Sequence, residues 1–133
     1  MQFTKEYIEM CQAARPFLQK SSLSIGDYVW IPDNLLVYNL QLLVHCYDKV
    51  YLCITEFLRM DNEMVWLPTV DQLQDYTLQA LKIDLYELII KFETYALSDD
   101  YYDTFQELWL EFVMLTVHNH FWDPTKKKWV QSK

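Results

Sequence analysis

Three histidines, three cysteines and nineteen carboxylates are the groups in this chain that could ligate a metal, move a proton or attack an electrophile. His118 and His120 look like a metal pair, yet residues two apart on a helix point to different faces, so the imidazoles converge only beyond a helix end. Together with His45, Cys46 and Cys53 they lack the ligand spacing of a structural zinc site, and no metal is expected. Cys11, Cys46 and Cys53 are an odd set with no small secreted framework to staple, which points to reduced, mostly buried thiols. Cys46 and Cys53 lie in apolar strand texture, where a thiol stays protonated. Ser21, Ser22 and Ser24 occupy a polar stretch without the pattern of a nucleophile elbow. The chain has one glycine, which excludes the glycine-rich loops that cradle phosphates. Carboxylates are abundant enough to form an acid and base pair, but no spacing singles one out. No catalytic residue and no cofactor is assigned.

Charge and aromatic content say more about binding. Net charge is −8 with a pI near 4.7, which disfavours nucleic acid and anionic membranes as partners. The excess is uneven: residues 1–68 net −3, residues 69–125 net −9, and the last eight residues net +4. Asp100, Asp103, Glu107 and Glu111 fall at three- and four-residue steps and would line one edge of a helix. They read either as a solvated face or as an acidic ridge for a protein with a basic surface. Five Trp and ten Tyr are many for a chain of this size. Tyr28, Trp30, Tyr101, Tyr102, Trp122 and Trp129 are candidates for a contact surface or a homodimer seam, with core filling as the plainer use.

These residues need elements to position them. Tyr7, Met10, Cys11, Ala14 and Leu18 recur at helical spacing, with Pro16 ending or kinking that helix. Gly26-Asp27 then opens β texture. Strands are predicted over Tyr28–Ile31, Leu36–Tyr47, Val50–Leu58 and Met64–Leu67, with tight turns at Asp48-Lys49 and Asp61-Asn62-Glu63. The segment Leu35–Leu43 also fits a buried helix. After Pro68, three pairs with capping-box spacing, Thr69 with Gln72, Asp84 with Glu87 and Thr104 with Glu107, open three helices. Nine of the thirteen residues Phe105–Val117 are Phe, Leu, Trp, Val or Met, the pattern of a central helix. In the tail, Phe121-Trp122 and Trp129-Val130 flank a Pro-containing turn, as in a small hairpin or folded-back arm. The predicted fold is a single α+β domain over residues 1–133: an N-terminal helix, a four-stranded antiparallel β-meander, three C-terminal helices and a short aromatic tail.

At 133 residues and 52% hydrophobic, the chain has ample material for a core and no apolar run of the roughly 18 residues that span a bilayer. Lys5, Glu6 and Glu9 interrupt any secretory signal. The segments Gly26-Asp27-Tyr28-Val29-Trp30, Trp66-Leu67-Pro68-Thr69-Val70-Asp71-Gln72-Leu73-Gln74 and Leu108-Trp109-Leu110-Glu111-Phe112-Val113-Met114, followed by Trp122 and Trp129, carry a likeness over most of the chain from Gly26 onward. In them the chain resembles a group of small uncharacterised proteins encoded by phages and prophages of Firmicutes. It departs where that group has a glycine between the closing tryptophans and this chain has Lys126-Lys127-Lys128. The resemblance implies a phage setting and a cytoplasmic location in the host bacterium, and no reaction. The expected function is a non-catalytic accessory protein that binds a host or phage protein, as an inhibitor of a host defence system. The partner-binding candidates are Asp100, Asp103, Glu107, Glu111, Tyr101, Tyr102, Trp30 and Trp122. The alternative is a small-molecule or nucleotide binder, with or without turnover, that uses the aromatics of the sheet.

Overall fold

Thr4 starts the first helix. Its hydroxyl accepts the Tyr7 N–H at 3.0 Å, which satisfies one of the amides that a helix start leaves unpaired. A computed structural model describes residues 2–18, 20–32, 42–60, 62–98 and 104–132. It contains two compact units, Met1–Leu67 and Pro68–Lys133. The fold is α+β, with four helices and antiparallel sheets among the described residues. None of these helices is long and apolar enough to cross a membrane.

In the first unit, α1 (Lys5–Ala13) buries Tyr7, Met10 and Cys11 and closes at Ala14, two residues before Pro16. Four strands form the main sheet: β2 (Tyr28–Trp30), β3 (Leu43–Tyr47), β4 (Val50–Cys53) and β6 (Val65–Leu67). Their order is β3-β4-β2-β6, all antiparallel, so the predicted meander is corrected. A meander would pair β4 with β6, but β2 lies between them, with Val29 opposite both Tyr51 and Trp66. The expected strand over Val50–Leu58 stops at Cys53, and Phe57 takes a left-handed φ of 61°. The chain then forms a short β5 (Leu58–Arg59), which pairs with β1 (Ser22–Leu23). That detour makes the β4–β6 link too long for a tight hairpin, and the central place goes to the strongly β-forming Tyr28-Val29-Trp30. The first half of the predicted Leu36–Tyr47 strand lies outside the described residues, as does the Leu35–Leu43 alternative apart from its last two positions.

Both faces of this sheet are covered, as the nearly continuous burial of β4 requires. One face joins Leu23, Val29, Ile31, Leu43, Tyr51, Cys53 and Met64 in a buried cluster. On the other, Phe3 meets Tyr28 edge-on at 5.3 Å. Gly26, at φ 95°, makes the turn into β2 and donates its N–H to the Cys53 carbonyl. Asp27 beside it is buried; its carboxylate accepts from Lys20 Nζ and from the Ser24 N–H, each at 2.7 Å.

In the second unit, α2 (Val70–Leu81) carries the full predicted capping box: Thr69 accepts from the Gln72 N–H, and the Gln72 side chain accepts from the Thr69 N–H. The other two predicted starts hold as caps for α3 (Leu85–Ser98) and α4 (Phe105–His118). The aromatic tail is a hairpin of β7 (His120–Asp123) and β8 (Lys128–Gln131), with Trp122 opposite Trp129. Asp123 accepts the N–H groups of Thr125 and Lys126, and Lys127 takes φ 52° where a glycine would be easiest.

Candidate functional site

Helix α3 begins where Asp84 accepts the Glu87 N–H at 2.9 Å. Its residues then divide into two stripes. The inward stripe is Leu88, fully buried, then Phe92 and Tyr95, both half-buried. Phe92 stacks on Trp109 of α4 with ring centroids 3.9 Å apart and planes 5° apart, and Tyr95 leans on Phe112 at 5.5 Å. The outward stripe is also apolar. Leu85, Tyr86, Ile89, Ile90 and Leu97 are all exposed, Tyr86 by 73% and Leu97 by 86%, and Phe105 at the start of α4 is 58% exposed. Their spacing, with Tyr86, Ile89, Ile90 and Leu97 at i, i+3, i+4 and i+11, follows one side of the helix. Exposed Glu93 lies within it, seven residues after Tyr86, exposed Asp84 and Glu87 border its start, and Lys91 is the one basic residue of α3. A shallow groove of about 350 Å³ runs beside it, lined by Ile90, Lys91, Thr94, Tyr95, Phe112 and Thr116. Soluble domains seldom expose an apolar run of this kind unless something covers it. Chemically, the stripe offers contact area and no reacting group.

The predicted acidic edge is placed differently. Asp100, Tyr101, Tyr102 and Asp103 lie outside the described residues. Glu107 is 3% exposed, which corrects its place in a solvent-facing ridge. It is the third residue of α4, where its carboxylate accepts the Thr104 hydroxyl at 2.6 Å and its N–H donates back to that hydroxyl oxygen at 3.1 Å. The geometry of a helix start therefore draws it inward. Glu111 is half-buried. Trp122 is also buried, not part of a wet surface, because Trp129 lies directly across the hairpin with ring centroids 5.1 Å apart. Trp30 is half-buried, with Lys49 Nζ 5.7 Å from its ring centroid.

Other reactive groups are held apart. Among the described residues no three His, Cys, Asp or Glu converge as a metal site. His118 Nε2 lies 2.6 Å from the Tyr76 hydroxyl, and His120 Nδ1 donates to the His118 carbonyl at 2.6 Å. Burial and the neighbouring His120 hold the His118 imidazole below its usual pKa, and burial raises that of Tyr76. Burial drives the Cys11 thiol far up. Cys53 is buried too, whereas Cys46 is exposed on the edge strand β3 instead of in the core. The exposed α3 stripe is absent from the partner-binding residues expected from the sequence. The signal that could have found it is the second apolar side of the same helix.

Comparison with protein-family models, with curated proteins and with solved structures finds no match to this chain.

Proposed function

We propose that the chain is a non-catalytic protein-binding module that docks through the outward stripe of α3. The observation that carries this reading is the run of Leu85, Tyr86, Ile89, Ile90 and Leu97 left exposed on one helix. Burying such residues against a partner is favourable by about 25 cal/mol for each Å² of apolar surface removed from water. Charge selects the kind of partner. Residues 69–125 net −9, and carboxylates lie at the start of the stripe and, as Glu93, within it, so the complement is an apolar ridge that also carries Lys or Arg. A second copy would bring the same negative excess and be repelled. In the phage setting that the motif likeness implies, the partner is a basic host or phage protein, and inhibition of a host defence factor is the biological use.

A designed helical peptide with a leucine stripe flanked by lysines is the probe, and the same peptide with glutamates is its control. Calorimetry should show binding of the basic peptide that weakens as salt rises. The I89S/I90S double variant should lose about tenfold or more in affinity with its circular dichroism unchanged. Equal binding of the acidic peptide, or full binding by the variant, would refute the proposal. So would a concentration-dependent dimer that the same variant abolishes.

A further inference from the structure

The first unit carries a different site. Between α1 and the turn joining β3 to β4 lies an open cavity of about 590 Å³. That is within the roughly 300–1,000 Å³ typical of small-molecule sites. Its floor is Trp30 and Val50, cross-strand partners on β2 and β4. One wall is α1, which presents Lys5 and Glu9 one turn apart, about 6 Å along the axis. The other wall is Asp48-Lys49, the turn itself, with Asp48 at a left-handed φ of 45°. Tyr47 ties the walls together: its hydroxyl accepts the Phe3 N–H and donates to the Phe3 carbonyl. The rim is therefore set by paired hydrogen bonds between the chain segment before α1 and the strand before the turn.

The charge pattern narrows the ligand. Each wall carries one ammonium, Lys5 or Lys49, and one carboxylate, Glu9 or Asp48. A polyphosphate entering would meet both carboxylates, and a simple cation would meet both lysines; either juxtaposition is costly. A molecule with one charge of each sign meets a complement on both walls. The half-buried indole of Trp30 carries the Lys49 ammonium over its ring, so an aromatic body gains that flat surface as Lys49 swings from the ring to the carboxylate of the ligand. We propose that this groove binds a small zwitterion with an aromatic side chain, a free aromatic amino acid or a short peptide containing one.

The test is a titration of the full ¹⁵N-labelled chain with L-tryptophan and with an alanyl-tryptophan dipeptide. Tryptamine, which lacks the carboxylate, indole-3-propionate, which lacks the ammonium, and AMP are the comparison ligands. Either zwitterion should shift the amides of Trp30, Lys49 and Val50 and bind at least about tenfold tighter than each comparison ligand. Lys5→Gln and Glu9→Gln should each weaken that binding by about tenfold with unchanged circular dichroism. The I89S/I90S variant should bind as the parent does, which separates this site from the α3 surface. Equal or tighter binding of tryptamine, indole-3-propionate or AMP would overturn the proposal. So would shifts confined to other residues, or no shift up to about 10 mM ligand.

Discussion

Helices α3 and α4 each have fourteen residues, and nine in each are apolar. In α4 six of those nine are buried: Leu108, Trp109, Leu110, Phe112, Val113 and Met114. In α3 only Leu88 is buried among the described residues, and Leu85, Tyr86, Ile89, Ile90 and Leu97 face outward. Equal apolar content thus supports opposite roles. Within the second unit α4 contacts α2, α3 and β7, so it has neighbours on several sides, while among the described residues the main contacts of α3 are with α2 and α4. A helix covered from few directions retains a free face, and if that face is apolar it is available to a partner.

The difference can be broken at several points. Phe112→Ala, in the buried body of α4, should lower unfolding free energy by about 3–5 kcal/mol in urea titrations. Ile89→Ser on the open side of α3 should change it by no more than about 0.5 kcal/mol. Comparable losses from the two would mean that the α3 stripe is packed. Leu88→Ala removes the fully buried anchor of α3 and should cost about 2–5 kcal/mol. Hydrogen exchange should then rise first along α3 while the middle of α4 stays protected. Simultaneous loss in both helices would show one cooperative unit with no privileged face.

A smaller effect concerns the end of α4. The folded pKa of His118 lies below its ordinary value of 6.5, so the unfolded chain takes up this proton first. Stability from the neutral imidazole beside Tyr76 is therefore complete above about pH 6.5 and falls as pH drops from there toward the depressed folded value. Thermal melts across that window should show a shallow decline that His118→Gln flattens. A decline of equal slope in the variant would place its origin elsewhere.

Local signals were legible wherever one residue acts on its near neighbours. Thr69, Asp84 and Thr104 mark the helix starts because a side chain three residues from an amide can cap it in any context. The switch from β texture to helical period at Pro68–Thr69 coincides with the boundary between the two units. The two-residue turn at Asp48-Lys49 and the paired tryptophans of the tail also depend on short-range geometry. Sheet order was not legible, because any of these strands can pair with any other until the 54–64 detour places β2 between β4 and β6. Nor was burial. Glu107 turns inward while Ile89 and Ile90 stay open, although their types alone suggest the reverse. Periodicity establishes which residues share a side of a helix; only packing decides whether that side meets protein or water. Local spacing was enough for the helices, their starts and most strands of the main sheet, and composition for the acidic excess of residues 69–125. Tertiary structure decided strand order and which apolar stripe remained free, because both depend on contacts between residues far apart in the chain.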